Sequence, residues 1–109
     1  MQTVAEMPEY LRRAERLLSD QAREEIVAFL SVHPQAGDLV QGTGGLRKLR
    51  WSREGMGKSG GVRVIYYYHD EKMPLYIITL FGKNEKANLT KDERNELAKF
   101  VRVLVDHWR

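Results

Sequence analysis

Gly42-Thr43-Gly44-Gly45-Leu46-Arg47-Lys48-Leu49-Arg50-Trp51, followed after a glycine-punctuated basic loop by Gly61-Val62-Arg63-Val64-Ile65-Tyr66-Tyr67-Tyr68, decides how this chain of 109 residues folds. In the first block Leu49 and Trp51 alternate with Lys48 and Arg50, the two-residue period of a strand with one buried face. In the second, β-branched and aromatic residues dominate, as in a central strand. Antiparallel pairing across residues 52 to 60 brings Arg63 within a few residues of Arg50. Lys48, Arg50 and Arg63 then meet on one face, where they either grip a polyanion or simply solubilise an open sheet face.

Working outward, Leu75 to Phe81 is a nearly unbroken apolar run and predicts a third strand, joined to the second by the short polar hairpin His69 to Pro74. Gln35 to Gly45 reads as a loop because of its glycines. Before it, Pro8 suits the first turn of a helix reaching about Leu18. Ser19-Asp20 caps a second helix, with Ala22, Ile26, Phe29 and Leu30 on one face, and His33-Pro34 ends it. Gln2 to Ala5 predicts a short strand. At the other end Thr90-Lys91-Asp92-Glu93 matches a capping box, opening a last helix with Leu97, Val101, Leu104, Val105 and Trp108 on its apolar side. The order predicts an α+β fold in a single domain, residues 1–109, with helices covering one face of an antiparallel sheet and the other face free to bind.

Composition narrows the class. A hydrophobic fraction of 42% with 30% charged residues describes a globular protein. No apolar run approaches the roughly 18 to 20 residues that span a bilayer, and no basic leader precedes an apolar core, so a cytoplasmic location is expected. Cysteine is absent, which excludes disulfides, thiolate catalysis and most structural zinc sites. The net charge is +3, and its distribution is uneven. Residues 1 to 40 are net −3, whereas residues 41 to 63 carry Arg47, Lys48, Arg50, Arg53, Lys58 and Arg63 against Glu54 alone, net +5.

Gly57-Lys58-Ser59 superficially resembles a phosphate-binding loop, but Ser52 stands where the first Walker glycine belongs and no strand-loop-helix context follows, so a nucleotidase is excluded. Glycines instead suit a basic flap on which Arg53 and Lys58 contact phosphates. Tyr67 shares the side of Arg63 and Ile65 and is a candidate for stacking on a base, with core packing as the plainer fate. Lys83 and Glu85, in Phe81-Gly82-Lys83-Asn84-Glu85-Lys86, fall at the rim of the sheet, where a cation can steady transition-state charge and a carboxylate can move a proton. His33, His69 and His107 lack metal-ligand spacing, and no metal or cofactor is expected.

The blocks Gly42 to Arg50, Gly60 to Tyr67 and Phe81 to Glu85, in that order, resemble the HigB-type branch of the RelE/ParE toxin superfamily over essentially the whole chain. The resemblance implies a RelE-like microbial RNase fold, with N-terminal helices and a C-terminal helix packed with a twisted antiparallel sheet of three to four strands. It implies a toxin of a type II toxin-antitoxin system, an mRNA interferase entering the ribosomal A site. Its partners would be the 70S ribosome, mRNA and a cognate antitoxin, commonly a helix-turn-helix protein that binds operator DNA. Lys48, Arg50 and Arg63 stand where RelE-type nucleases carry basic residues, which implies phosphate contact and transition-state stabilisation. With Lys83 and Glu85 they form the candidate catalytic set; Arg47, Arg53, Lys58, Tyr67 and Lys86 form the candidate RNA-binding set.

The reaction implied is metal-independent attack of a 2′-OH on the adjacent phosphorus. Asn84 and Thr90 depart from the RelE pattern of a late arginine and a late tyrosine. Two other readings stay open on these grounds: a ParE-like inhibitor of DNA gyrase that cuts nothing, and a toxin that binds RNA or antitoxin without catalysis.

Overall fold

Residues 1–52 and 61–108 are described by the computed structural model of the chain. The elements run β1 (Val4–Glu6), α1 (Pro8–Leu17), α2 (Asp20–Val32), β2 (Asp38–Leu39), β3 (Leu46–Trp51), β4 (Val62–Tyr67), β5 (Leu75–Gly82) and α3 (Lys91–His107). The strands form one sheet in the order β1-β5-β4-β3-β2. It is antiparallel except at one edge, where β1 lies parallel to β5. Five strands rather than three or four therefore make the sheet. β1, close to the short strand expected from Gln2 to Ala5, has three residues, and the addition is β2, two residues inside the expected loop.

Local chemistry sets the helix boundaries. Pro8 opens α1, where its missing N–H costs no hydrogen bond. The Ser19 hydroxyl accepts from Ala22 N at 3.1 Å to start α2, and His33, just before Pro34, caps its end. At α3 both halves of the capping box form: Glu93 N donates to Thr90 Oγ1 at 3.1 Å, and Thr90 N donates to Glu93 Oε1 at 2.8 Å.

Two cores lie on opposite faces of the sheet. On one, Tyr10 and Ala14 of α1 and Ile26 and Leu30 of α2 pack on Leu49, Val64, Tyr66, Ile77 and Leu80. On the other, Val101 and Leu104 of α3 pack with Leu46, Ile65, Tyr67, Ile78, Phe81 and Leu89. The expectation of helices on one face only is thus corrected. An apolar stripe on α3 required burial, and α1 and α2 already cover the first face, so α3 takes the second. A register shift between Ile65 and Tyr66, opposite Ile77 to Thr79, helps by adding Ile78 to the α3 side.

Candidate functional site

Strand register places the cations of β3 and β4. Arg50 stands directly opposite Arg63, and Lys48 opposite Ile65. Cross-strand partners share a face, so Lys48, Arg50 and Arg63 all lie on the α3 side. Arg63 in turn pairs with Phe81 of β5. Like charges in direct cross-strand register do not stabilise a sheet.

The three cations differ in environment. Arg50 is exposed. Arg63 is only 7% exposed, and its Nη1 lies 3.4 Å from its neighbour's carbonyl, Val62 O. Lys48 is half-buried, and its Nζ donates to Asn88 Oδ1 at 3.0 Å. Burial of Arg63 strengthens the field that its charge exerts.

The turn after β5 closes the same end of the sheet, where Gly82 pairs with Val62 and Val62 with Trp51. Lys83 N donates to Gly61 O at 3.0 Å, and the Lys83 side chain is exposed. Glu85 Oε1 accepts from Gly82 N at 3.1 Å while Glu85 N donates to Gly82 O at 3.0 Å, so the carboxylate helps to hold the turn. A Cβ at Gly82 would sit 2.7 Å from Asn84 Oδ1 and 3.3 Å from Glu85 Oε1, so a side chain there would require these two exposed side chains to move.

Three members of the expected RNA-binding set are engaged within the fold. Arg47 lies on the opposite face, where its Nη1 donates to the carbonyls of Gln35 at 3.1 Å and Gly37 at 2.8 Å. It clamps the loop between α2 and β2. Tyr67 is 4% exposed within the α3-side core, and its hydroxyl shares a 3.1 Å hydrogen bond with His69 Nδ1, leaving no free ring face for a base. Lys86 is engaged in an ion pair with Glu93 and sits 5.0 Å above the Phe81 ring centroid. That pair, with the Thr90 N–H, holds the Glu93 carboxyl below its ordinary range. Arg53 and Lys58 lie outside the described residues.

Sequence reasoning missed Asn88. It stands two residues before the capping box that the sequence does disclose, but its bond to Lys48 spans 40 residues. It missed equally the clamp on the far face, where Gly37 N donates to the Tyr66 hydroxyl at 2.8 Å.

Among the described residues, no His, Cys, Asp or Glu cluster could hold a metal ion, and no helix is long and apolar enough to cross a membrane.

A family model described as the RelE toxin of the RelE/RelB toxin-antitoxin system matches residues 12–107. Among solved structures, the chain is similar to an arginine-to-alanine double mutant of the E. coli toxin RelE in its free state. The TM-score is 0.61 at 17% identity, over 92% of this chain and 97% of that one. At that identity the likeness speaks for the fold.

Proposed function

The chain belongs to the RelE toxin family, and on that premise we propose that it is a ribosome-dependent mRNA endonuclease of the HigB-type branch. Membership makes it a toxin of a toxin-antitoxin pair, with a cognate antitoxin as partner. The observation that carries the endonuclease reading is the direct cross-strand register of Arg50 with Arg63, on the face that also carries Lys48.

In the reaction proposed, mRNA in the ribosomal A site lies along the β3–β4 face. The 2′-oxygen bonds to the adjacent phosphorus as its proton leaves, the bond from phosphorus to the 5′-oxygen breaks, and a proton joins that oxygen. The products are a 2′,3′-cyclic phosphate and a 5′-OH, and only RNA supplies the nucleophile. Arg50 and Arg63 bind the non-bridging oxygens, whose charge grows in the transition state, and Lys48 adds a third cation beside them. Lys83 and Glu85, at the rim, are the candidates for leaving-group charge and proton movement. Fixed cations and in-line positioning supply most of the acceleration, with the ribosome completing the alignment. The antitoxin proposed is a helix-turn-helix protein that carries the toxin to operator DNA and blocks its entry to the 70S ribosome.

The test is primer extension on a reporter mRNA in a reconstituted translation reaction, with and without ribosomes. Wild type should cut only with ribosomes, leaving cyclic phosphate ends, and Arg63→Ala should not cut. Intact mRNA alongside arrested growth in cells would overturn the reading and favour gyrase inhibition.

A further inference from the structure

We propose that Asn88 is a positioning residue for Lys48: its side-chain amide holds the lysine ammonium over the β3–β4 face without neutralising it. This rests on the endonuclease reading above and adds to it a residue outside the basic set.

Lysine is a poor catalytic cation unless something aims it, because a point charge on a four-carbon stem samples many rotamers. Lys48 Nζ donates to Asn88 Oδ1 at 3.0 Å. An ammonium only donates, so the amide oxygen must be the atom that faces it. The ammonium has three N–H groups, and the bond to Asn88 uses one of them.

The choice of partner is informative. Asp38 of β2 stands opposite Lys48 in the strand register, yet the ammonium is directed to a neutral amide. A carboxylate partner would offset the positive charge that the site needs, whereas an amide fixes direction and leaves the charge whole.

Asn88 is itself held on both sides. Leu89 is buried in the α3-side core, and its carbonyl accepts from Arg94 Nη1 at 3.0 Å. Thr90 follows with the capping box of α3, and Lys86 precedes it, paired with Glu93. The short segment from Lys86 to Thr90 is therefore fixed to the first turns of α3, and the helix cap reaches β3 through the Asn88 side chain. Support of this kind, on a rigid element, is what precise placement of a catalytic cation requires.

A double-mutant cycle on single-turnover cleavage of ribosome-bound mRNA tests this, using wild type, Asn88→Ala, Lys48→Ala and the double variant. The expected result is a loss of about tenfold in the maximal rate for Asn88→Ala, with little change in the toxin concentration giving half-maximal rate. In the Lys48→Ala background the same change should cost less than about twofold, because the ammonium that it aims is gone. Asn88→Asp should instead raise the half-maximal concentration, since it keeps an acceptor but offsets the charge. Additive losses across the cycle, or wild-type rates in Asn88→Ala, would overturn the role of Asn88 while leaving the endonuclease reading intact. A wild type that leaves mRNA uncut would overturn both. Thermal melts of the folded variants should coincide with wild type, which separates misaiming from a loosened α3.

Discussion

The two faces of the sheet are built to different ends. The face under α1 and α2 is sealed: Tyr10, Ile26, Leu30, Val64 and Tyr66 are fully buried, and Arg47 is turned onto loop carbonyls. The face under α3 is sealed around Leu46, Ile65, Tyr67, Ile78 and Phe81. On β3 and β4 it also carries Lys48, Arg50 and Arg63, the last directly opposite the buried Phe81 of β5. Two neighbouring residues of β3, Arg47 and Lys48, show the contrast most directly. One cation staples the fold and the other faces the candidate site, and strand alternation alone separates them. The lesson is that basic residues in one segment divide by face into structural and functional groups.

Substitutions on the two faces should separate activity from stability. The largest effect expected is on the α3 side, where Arg63→Ala should lower ribosome-dependent cleavage by about 10² to 10³, the range seen for loss of one preorganised donor. Its melting temperature should stay near wild type, because removing one of two facing arginines also removes a repulsion. On the sealed face Leu30→Ala should cost about 3 kcal/mol in denaturant unfolding, as core truncations do, with cleavage per folded molecule unchanged.

A smaller effect of opposite sign is expected at Tyr10. Its hydroxyl is buried without a hydrogen-bond partner among the described residues, and burial pushes the phenol well above its ordinary pKa. Tyr10→Phe removes an unpaired polar atom from that core and should stabilise by about 1 kcal/mol in the same unfolding measurement.

The smallest effect is electrostatic and lies at the start of α3. Lys86 first, and then the Thr90 N–H, hold Glu93 below its ordinary value of 4.5. A depressed carboxyl contributes stability that is present above that value and lost as pH falls through the lowered one. Melting temperature should therefore decline on acidification below about pH 4.5, and Glu93→Gln should flatten the Glu93 share of that decline. An equal acid response in both proteins would show that the α3 start is not anchored by this pair.

Much of this arrangement was legible in the chain, for local reasons. Alternation in Leu46 to Trp51, β-branched and aromatic content in Val62 to His69 and the apolar run Leu75 to Phe81 disclosed the three main strands, and the spacing of Thr90 and Glu93 disclosed the start of α3. The pairing of Arg50 with Arg63 was legible to within a few residues, and the register makes it direct. β2 was harder, since a strand of two residues exists only through the neighbour that pairs with it. The apolar stripe of α3 announced that the helix is buried but carries no mark of which sheet face receives it. The same limit applied to Arg47, Tyr67 and Lys86. Residue type put them among possible RNA contacts, and only tertiary packing assigned them a loop, the core and Glu93.

The most direct test of the division between faces is ribosome-dependent cleavage by Arg63→Ala and Arg47→Ala side by side, each with its melting temperature. The account predicts a folded, inactive Arg63→Ala and a destabilised Arg47→Ala that still cuts. Wild-type cleavage by Arg63→Ala, or an equal loss of cleavage in a fully folded Arg47→Ala, would contradict it.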